Sequence, residues 1–182
     1  RAGDRLRYRP LAGEKPERAQ VFAPVPGLPT LLVFKGDPAA SNFVRHLTFE
    51  RLAFHYTDSP RRADQLVHAR IDPRIAGDPG QPGPTQFEPM QAAARTEAAV
   101  MADGAHAIVF RDCAFAHTGE YGIWFRAGCM SNRIERCALT DLGAGGIRIG
   151  DPGGKGASAA SGTPAGAFAT GFNTVDNCII KG

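Results

Sequence analysis

One pattern occurs twice in residues 105–151, AHAIVFRDCAFAHTGEYGIWFRAGCMSNRIERCALTDLGAGGIRIGD. The apolar residues Phe110, Cys113 and Phe115 recur with the same internal spacing as Ile134, Cys137 and Leu139. A second short run, GIWF at residues 122–125, returns as GIRI at residues 146–149, displaced by the same number of positions. Because two separate landmarks shift by one shared period of about 24 residues, the stretch is an internal repeat.

The length of the repeat and its apolar residues predict the fold. The period is short for a propeller blade, and the core positions lack the Leu/Asn pattern of leucine-rich repeats. Coils of about 20 to 25 residues, each burying its strands on the coils above and below, suit the β-branched, aromatic and Cys core. The repeat therefore predicts an all-β solenoid, a parallel β-helix with coils of about 24 residues.

Two more copies of the repeat predict the domain organisation. They are Phe49, Leu52 and Phe54 before the quoted stretch, and Val175, Cys178 and Ile180 after it. These copies stand further from their neighbours than one repeat, so insertions are expected at about 58–97 and 150–168. Prolines interrupt residues 1–29, which predicts an irregular capping segment before a β-helix over residues 30–182. We expect a piece of a longer protein, truncated at its C-terminus, whose open ends favour self-association.

The charge distribution, apolar runs and cysteine spacing limit which kinds of partner the sequence predicts. The formal net charge is +3, and much of the basic excess lies in residues 1–20 without interleaved aromatics, so a nucleic-acid partner is not predicted. Apolar runs fall short of the ~18 residues that a membrane span needs, so no membrane partner is predicted. Cys113, Cys137 and Cys178 share the middle repeat position, which predicts a buried column of thiols and no metal site. Cys129 falls at a turn and could be free, and a disulfide between stacked neighbours is possible but not implied.

The repeat also predicts which polar side chains meet. Tyr56, His117 and Asp141 each stand two positions after the last core residue of successive units. Stacking should bring His117 near Asp141, at roughly the ~4.8 Å that separates paired strands. Both residues are also typical of ordinary turns, where they would have no catalytic role.

The second strand of each unit predicts a sugar-binding surface. Trp124 and Arg148 alternate with the inward residues and should point outward, and Glu120 and Asp151 flank the strand. An exposed indole covers the apolar face of a pyranose, and charged groups bind its hydroxyls or carboxylate. Glycoside hydrolysis needs two carboxyl groups. In the alternative, Trp124 packs beneath an insertion and Arg148 only pairs with a carboxylate. The remaining charges between core positions predict a solvated face: Asp112, Glu135, Arg136 and Asp176.

Two runs carry a family resemblance, HTGEYGIWF at residues 117–125 and TDLGAGGIRIG at residues 140–150. With Gly128, Cys129, Asn132 and Ile134 between them, they resemble the bacterial right-handed parallel β-helix proteins of the pectin-lyase-like superfamily. The chain is most similar to the glycoside hydrolase family 141 type, whose activities include α-L-fucosidase and xylanase. This resemblance implies catalysis by acidic residues on neighbouring coils, with Asp141 at the matching motif position. Glu120 departs from the small residue expected there.

These observations predict a carbohydrate-active β-helix, a secreted or periplasmic glycoside hydrolase acting on plant or microbial polysaccharide without a cofactor. The expected catalytic residues are Asp141, His117 and Asp151, and the expected substrate-binding residues are Trp124, Arg148, Glu120 and Tyr56. Two alternatives stay open. One is a polysaccharide lyase of the same fold that uses Arg148 as base or to neutralise a uronate, with Ca²⁺ held by carboxylates. The other is a non-catalytic carbohydrate-binding or structural module.

Overall fold

The computed structural model describes residues 13, 15, 22–59, 97–150 and 169–181. Nearly all of both predicted insertions, most of the N-terminal segment and Asp151 lie outside these residues. The described part of the chain contains fourteen strands and no helix. They are β1 (Leu32–Lys35), β2 (Val44–Arg45), β3 (Thr48–Glu50), β4 (Ala53–Thr57), β5 (Ala98–Asp103), β6 (Ala105–His106), β7 (Val109–Arg111), β8 (Ala114–Thr118), β9 (Tyr121–Phe125), β10 (Arg133–Glu135), β11 (Ala138–Leu142), β12 (Ile147–Ile149), β13 (Thr174–Asp176) and β14 (Ile179–Lys181).

The strands form parallel sheets whose register follows the sequence repeat. Three sheets have four strands each, in the orders β1-β5-β9-β12, β3-β7-β10-β13 and β4-β8-β11-β14, and β2 pairs with β6. Ile134 pairs with Phe110, one repeat earlier, and Leu139 pairs with Phe115. Across the longer intervals Phe49 still pairs with Phe110. The predicted all-β class and the predicted strand pairing are therefore confirmed as stacked parallel sheets.

Identical positions on neighbouring strands build the core. Phe110 and Phe115 are fully buried. Phe49 stacks on Phe110 with ring centroids 5.0 Å apart, and Phe54 stacks on Phe115 at 4.8 Å. These separations follow from the ~4.8 Å spacing of paired strands, which holds in-register rings face to face. Each fully buried Phe contributes about 2 kcal/mol through the apolar surface it removes from water.

Single residues with positive φ turn the chain between sheets. Asp112 (φ 52°) and Arg136 (φ 51°) join β7 to β8 and β10 to β11. His117 (φ 53°) and Asp141 (φ 50°) occupy the matching position near the ends of β8 and β11. A left-handed residue bends the backbone without a loop, but costs non-glycine residues about 1 kcal/mol. This conformation was not predicted from the sequence.

Residues at the two ends of the stack are less buried than predicted. Leu52 was expected in the core but is 46% exposed, and Val175 and Ile180 are 43% and 50% exposed. Each belongs to a terminal unit, which packs on a described neighbour from one side only. The repeat pattern identifies an inward position, but one-sided packing leaves these three side chains partly uncovered, whereas Phe54, in the same unit as Leu52, is buried.

The predicted thiol column is present. Cys113 and Cys137 are buried and Cys178 is half-buried, and all four cysteines are free. The thiol of Cys137 lies 3.6 Å from the carbonyl oxygen of Phe110 on the preceding turn. Cys129 is also free and is fully buried.

Asp112, Arg136 and Asp176 of the predicted solvated face are exposed, as predicted, and ion pairs link this face. Arg136 forms two hydrogen bonds to the carboxylate of Asp112, at 2.8 and 3.0 Å. Glu135 is 5% exposed, because Arg111 and Arg133 cover its carboxylate at 3.0 and 2.6 Å. The hydrogen bond from Arg136 lowers the pKa of Asp112, and that from Arg111 lowers the pKa of Glu135. Glu135 was therefore wrongly assigned to a solvated surface.

Across the same described ranges, no helix has the length and apolar character to cross a membrane.

Candidate functional site

His117 and Asp141 form a close pair at one corner of the sheets. Nδ1 of His117 lies 2.6 Å from Oδ2 of Asp141, and their side chains are 50% and 74% exposed. The adjacent pairs Ala116–Thr140 and Thr118–Leu142 hold β8 and β11 in register. With both corner residues left-handed, their side chains project from the same bend one turn apart. The predicted proximity of these residues is confirmed.

Two aromatic rings continue this pair along the stack. Tyr56 stacks on His117, with ring centroids 5.2 Å apart and planes inclined by 9°. Phe22 stacks on Tyr56 at 5.0 Å and 5°. We call Phe22, Tyr56, His117 and Asp141 the corner column. Phe22 and His117 cover the two faces of Tyr56, and the ring of His55 lies nearly perpendicular to it with centroids 5.7 Å apart. The predicted substrate-binding role of Tyr56 remains a prediction.

The dyad within the column is arranged for proton transfer. One proton is shared across the Nδ1–Oδ2 contact: an Nδ1–H of His117 donates to the carboxylate, or a protonated carboxyl of Asp141 donates to Nδ1. A base oriented by a second group is the usual geometry of a general acid–base catalyst. On the preceding turn, the side chain next to Asp141 is the imidazole of His117 and not a second carboxyl group.

Trp124 is placed differently from the expectation. It points away from the central core, as strand alternation predicts, but it is only 8% exposed. The guanidinium carbon of Arg148 lies 4.1 Å from the ring centroid, and the indole Nε1 donates to the carbonyl oxygen of Gly150 at 2.8 Å. Arg126 also approaches the indole, at 5.4 Å. The prediction of an exposed indole is wrong, because arginine side chains cover the ring.

Arg148 and Glu120 lie among protein groups rather than on an open surface. Arg148 is half-buried, between Trp124 and Tyr121, whose ring centroid is 5.7 Å from the guanidinium carbon. Glu120 is 2% exposed, and its Oε1 accepts a hydrogen bond of 2.9 Å from the hydroxyl of Ser59. Their substrate-binding roles remain predictions. The third expected catalytic residue, Asp151, lies outside the described residues.

A buried asparagine pair was missed in the sequence. Asn132 is fully buried and its Oδ1 accepts the backbone N–H of Ile108 at 2.9 Å. Its amide donates to Oδ1 of Asn173 on the next turn at 2.8 Å. The signal was present, because each Asn stands two positions before a core residue, Ile134 or Val175. The pair lies inside the fold and is structural.

Metal binding has no support in the ranges 22–59, 97–150 and 169–181, where no three His, Cys, Asp or Glu side chains lie together as ligands.

Comparisons with protein-family models, with curated proteins and with solved structures found no match. The resemblance to glycoside hydrolase family 141 stays a prediction carried by the two motif runs. The corner column is the group of side chains on which the proposed function rests.

Proposed function

We propose that the chain is part of a right-handed parallel β-helix that cleaves glycosidic bonds in oligo- or polysaccharides at the corner column. The repeat register shared by all three four-stranded sheets supports the helix. The exposed His117–Asp141 pair, at 2.6 Å, is the observation that carries the function. A secreted or periplasmic location follows from polysaccharide as the substrate.

In this proposal the dyad handles the proton of the reaction. Cleavage requires a proton on the glycosidic oxygen as its bond to the anomeric carbon breaks, and a nucleophile or water then bonds to that carbon. The carboxyl group of Asp141, or His117 hydrogen-bonded to it, is the proton donor. Proton transfer by a positioned side chain contributes typically 10²- to 10⁴-fold to the rate. We assign the second carboxyl group to Asp151, the other acidic residue among those predicted to be catalytic.

The aromatic part of the column supports a sugar ligand. Tyr56 is half-buried and stacks on His117, and Phe22 is 60% exposed at the end of the column. Apolar ring surface next to groups that donate and accept hydrogen bonds suits a pyranose, which has both apolar faces and hydroxyls. The same features would serve a sugar that binds without cleavage, so turnover must be measured.

The test is a screen of the full chain against pectic, xylan and fucosylated oligosaccharides, with detection of new reducing ends. The variant is Asp141→Asn, and Asp112→Asn is its matched control. Both aspartates have left-handed backbones and one basic partner, but Asp112 pairs with Arg136 at another corner. Asn tolerates this backbone conformation, so both variants should fold.

We expect Asp141→Asn to lose about 100-fold or more of the activity and Asp112→Asn to keep it. Equal cleavage by both variants would mean that Asp141 is not a catalytic residue. Sugar binding without cleavage by the unmodified chain would make the protein a binding module and the catalytic assignment wrong.

A polysaccharide lyase is the second candidate, and the imidazole favours it. A uronate is cleaved by elimination when a base removes the proton next to its carboxylate, and the geometry makes His117, rather than Arg148, the better base. Elimination leaves a C=C bond in the product, which absorbs in the ultraviolet. The same screen read at ultraviolet wavelengths separates elimination from hydrolysis, which produces no such absorbance.

A further inference from the structure

The N-terminal segment places an aromatic ring on the corner column from outside the repeat. Phe22 precedes the first strand and has no counterpart at the repeat spacing. Its ring nevertheless continues the stack beyond Tyr56, with planes inclined by only 5°. One face of Phe22 is therefore covered, while the side chain as a whole is 60% exposed.

Backbone contacts fix this segment beside Tyr56. The backbone N–H of Gly27 donates to Oδ2 of Asp58 at 2.7 Å, and the backbone N–H of Asp58 donates to the carbonyl oxygen of Leu28 at 3.0 Å. The backbone N–H of Leu28 in turn donates to the carbonyl oxygen of Val25 at 3.0 Å, which closes a turn. Because Asp58 stands two residues after Tyr56, these bonds tie the segment to the end of β4.

An exposed aromatic face held in this way is available to a ligand that has an apolar surface of its own. Removing an apolar ring from water is favourable, and the C–H groups on one face of a pyranose pack well against such a ring. Phe22 is two stacking steps, of 5.0 and 5.2 Å, from the imidazole of His117. A sugar ring on Phe22 would therefore be a different ring from the one whose bond is cleaved.

We propose that Phe22 forms a distal subsite of the corner column, which binds a sugar ring remote from the cleaved bond and so selects oligosaccharides over short substrates. This inference rests on the proposed function and names its substrate class. Phe22 binds substrate and takes no part in the proton transfer. Remote contacts of this kind add binding energy that short substrates cannot use.

The test measures KM, kcat and Kd for a graded series, from disaccharide upward, of xylo-oligosaccharides, oligogalacturonides or fucosylated oligosaccharides, whichever the screen shows to be bound or cleaved. Phe22→Ala should raise KM and Kd about tenfold for the long members and leave the shortest unchanged. Phe22→Trp should restore binding, because it keeps a flat ring at the position. The control is Val25→Ala, which removes an equally exposed apolar side chain, 61% accessible, from the same segment and should change nothing.

The outcomes separate this inference from the proposed function. If the unmodified chain is active but Phe22→Ala weakens the binding of short and long substrates equally, or of neither, the proposed subsite is wrong. The proposed role of the His117–Asp141 pair is then unaffected. If the unmodified chain neither binds nor cleaves any of the three series, the proposed function fails and the subsite fails with it. A loss confined to long substrates, with kcat for short ones preserved, supports both.

Discussion

The side-chain amide of Asn132 donates a hydrogen bond of 2.8 Å to Oδ1 of Asn173, which lies 41 residues further along the chain. The same amide donates to the carbonyl oxygen of Ala105 on the preceding turn at 2.9 Å. The pair thus connects three successive turns through one side chain. Residues 151–168 lie between β12 and β13 in the sequence, and β13 still pairs in register with β10.

We predict that Asn132→Ala lowers the free energy of unfolding by about 3 kcal/mol. The substitution leaves the buried N–H of Ile108 without its partner, which costs about 1 to 3 kcal/mol. It also removes the bonds to Asn173 and to the carbonyl oxygen of Ala105, which keeps the N–H of Met130. Urea unfolding followed by circular dichroism measures the change. The double variant with Asn173→Ala should show a coupling of about 1 kcal/mol. A change within about 0.5 kcal/mol for Asn132→Ala would show that the pair is dispensable.

Gly143→Ala tests how closely two turns approach beside the dyad. A Cβ at Gly143 would lie 2.5 Å from the carbonyl carbon of Gly119, which is backbone and cannot rotate away. We expect a loss of about 2 kcal/mol in stability, with reduced activity because Asp141 is two residues away. Gly171→Ala is the control, since its Cβ would meet only Met130 Sδ at 3.8 Å. Wild-type stability for Gly143→Ala in urea unfolding would refute the close approach.

The ion pair of Asp112 with Arg136 predicts how stability varies with pH. The pKa of Asp112 is lowered in the folded protein by its hydrogen bond to Arg136. The contribution is therefore complete above the unfolded pKa of about 3.9 and is lost as the pH falls through the lower, folded value. We expect the stability difference between wild type and Asp112→Asn to shrink as the pH is lowered from neutral to strongly acidic.

Unfolding curves at neutral and strongly acidic pH measure this difference, and Glu135 adds acid sensitivity of the same sign. Because the Asp112–Arg136 pair is partly exposed, added salt should reduce its contribution at neutral pH. A stability difference that is the same at both pH values would mean that Asp112 is not paired in solution.

The thiols should differ in reactivity according to their place in the stack. Burial raises the pKa of Cys129 and Cys137 to about 11, so only about one in a thousand is ionised at pH 8. Cys178 is half-buried at the end of the stack and should be labelled first by a disulfide reagent. Mass spectrometry of the native chain should find the label on Cys178 and, after denaturation, on all four cysteines. Labelling of Cys137 as fast as Cys178 would contradict the buried column.

Periodicity predicted what lies next to what along the stack. The repeat spacing pairs Ile134 with Phe110, and the same shift pairs His117 with Asp141. The repeat spacing could not predict which side chains lie over an outward-pointing residue such as Trp124. Trp124 was expected on the surface, but Arg148 lies over its ring, and the orientation of a long side chain is decided by local packing.

The sequence by itself determined the all-β class, the strand register, the thiol column and the His117–Asp141 pair, because in-register parallel strands repeat any side chain about every 4.8 Å along the stack. Only the tertiary structure decided that Glu120 is buried against Ser59, that Leu52 is exposed, and that Phe22 joins the column. The contacts of Glu120 and Phe22 join segments that share no period, and the exposure of Leu52 depends on its place in a terminal unit, so each is visible only when the chain is folded.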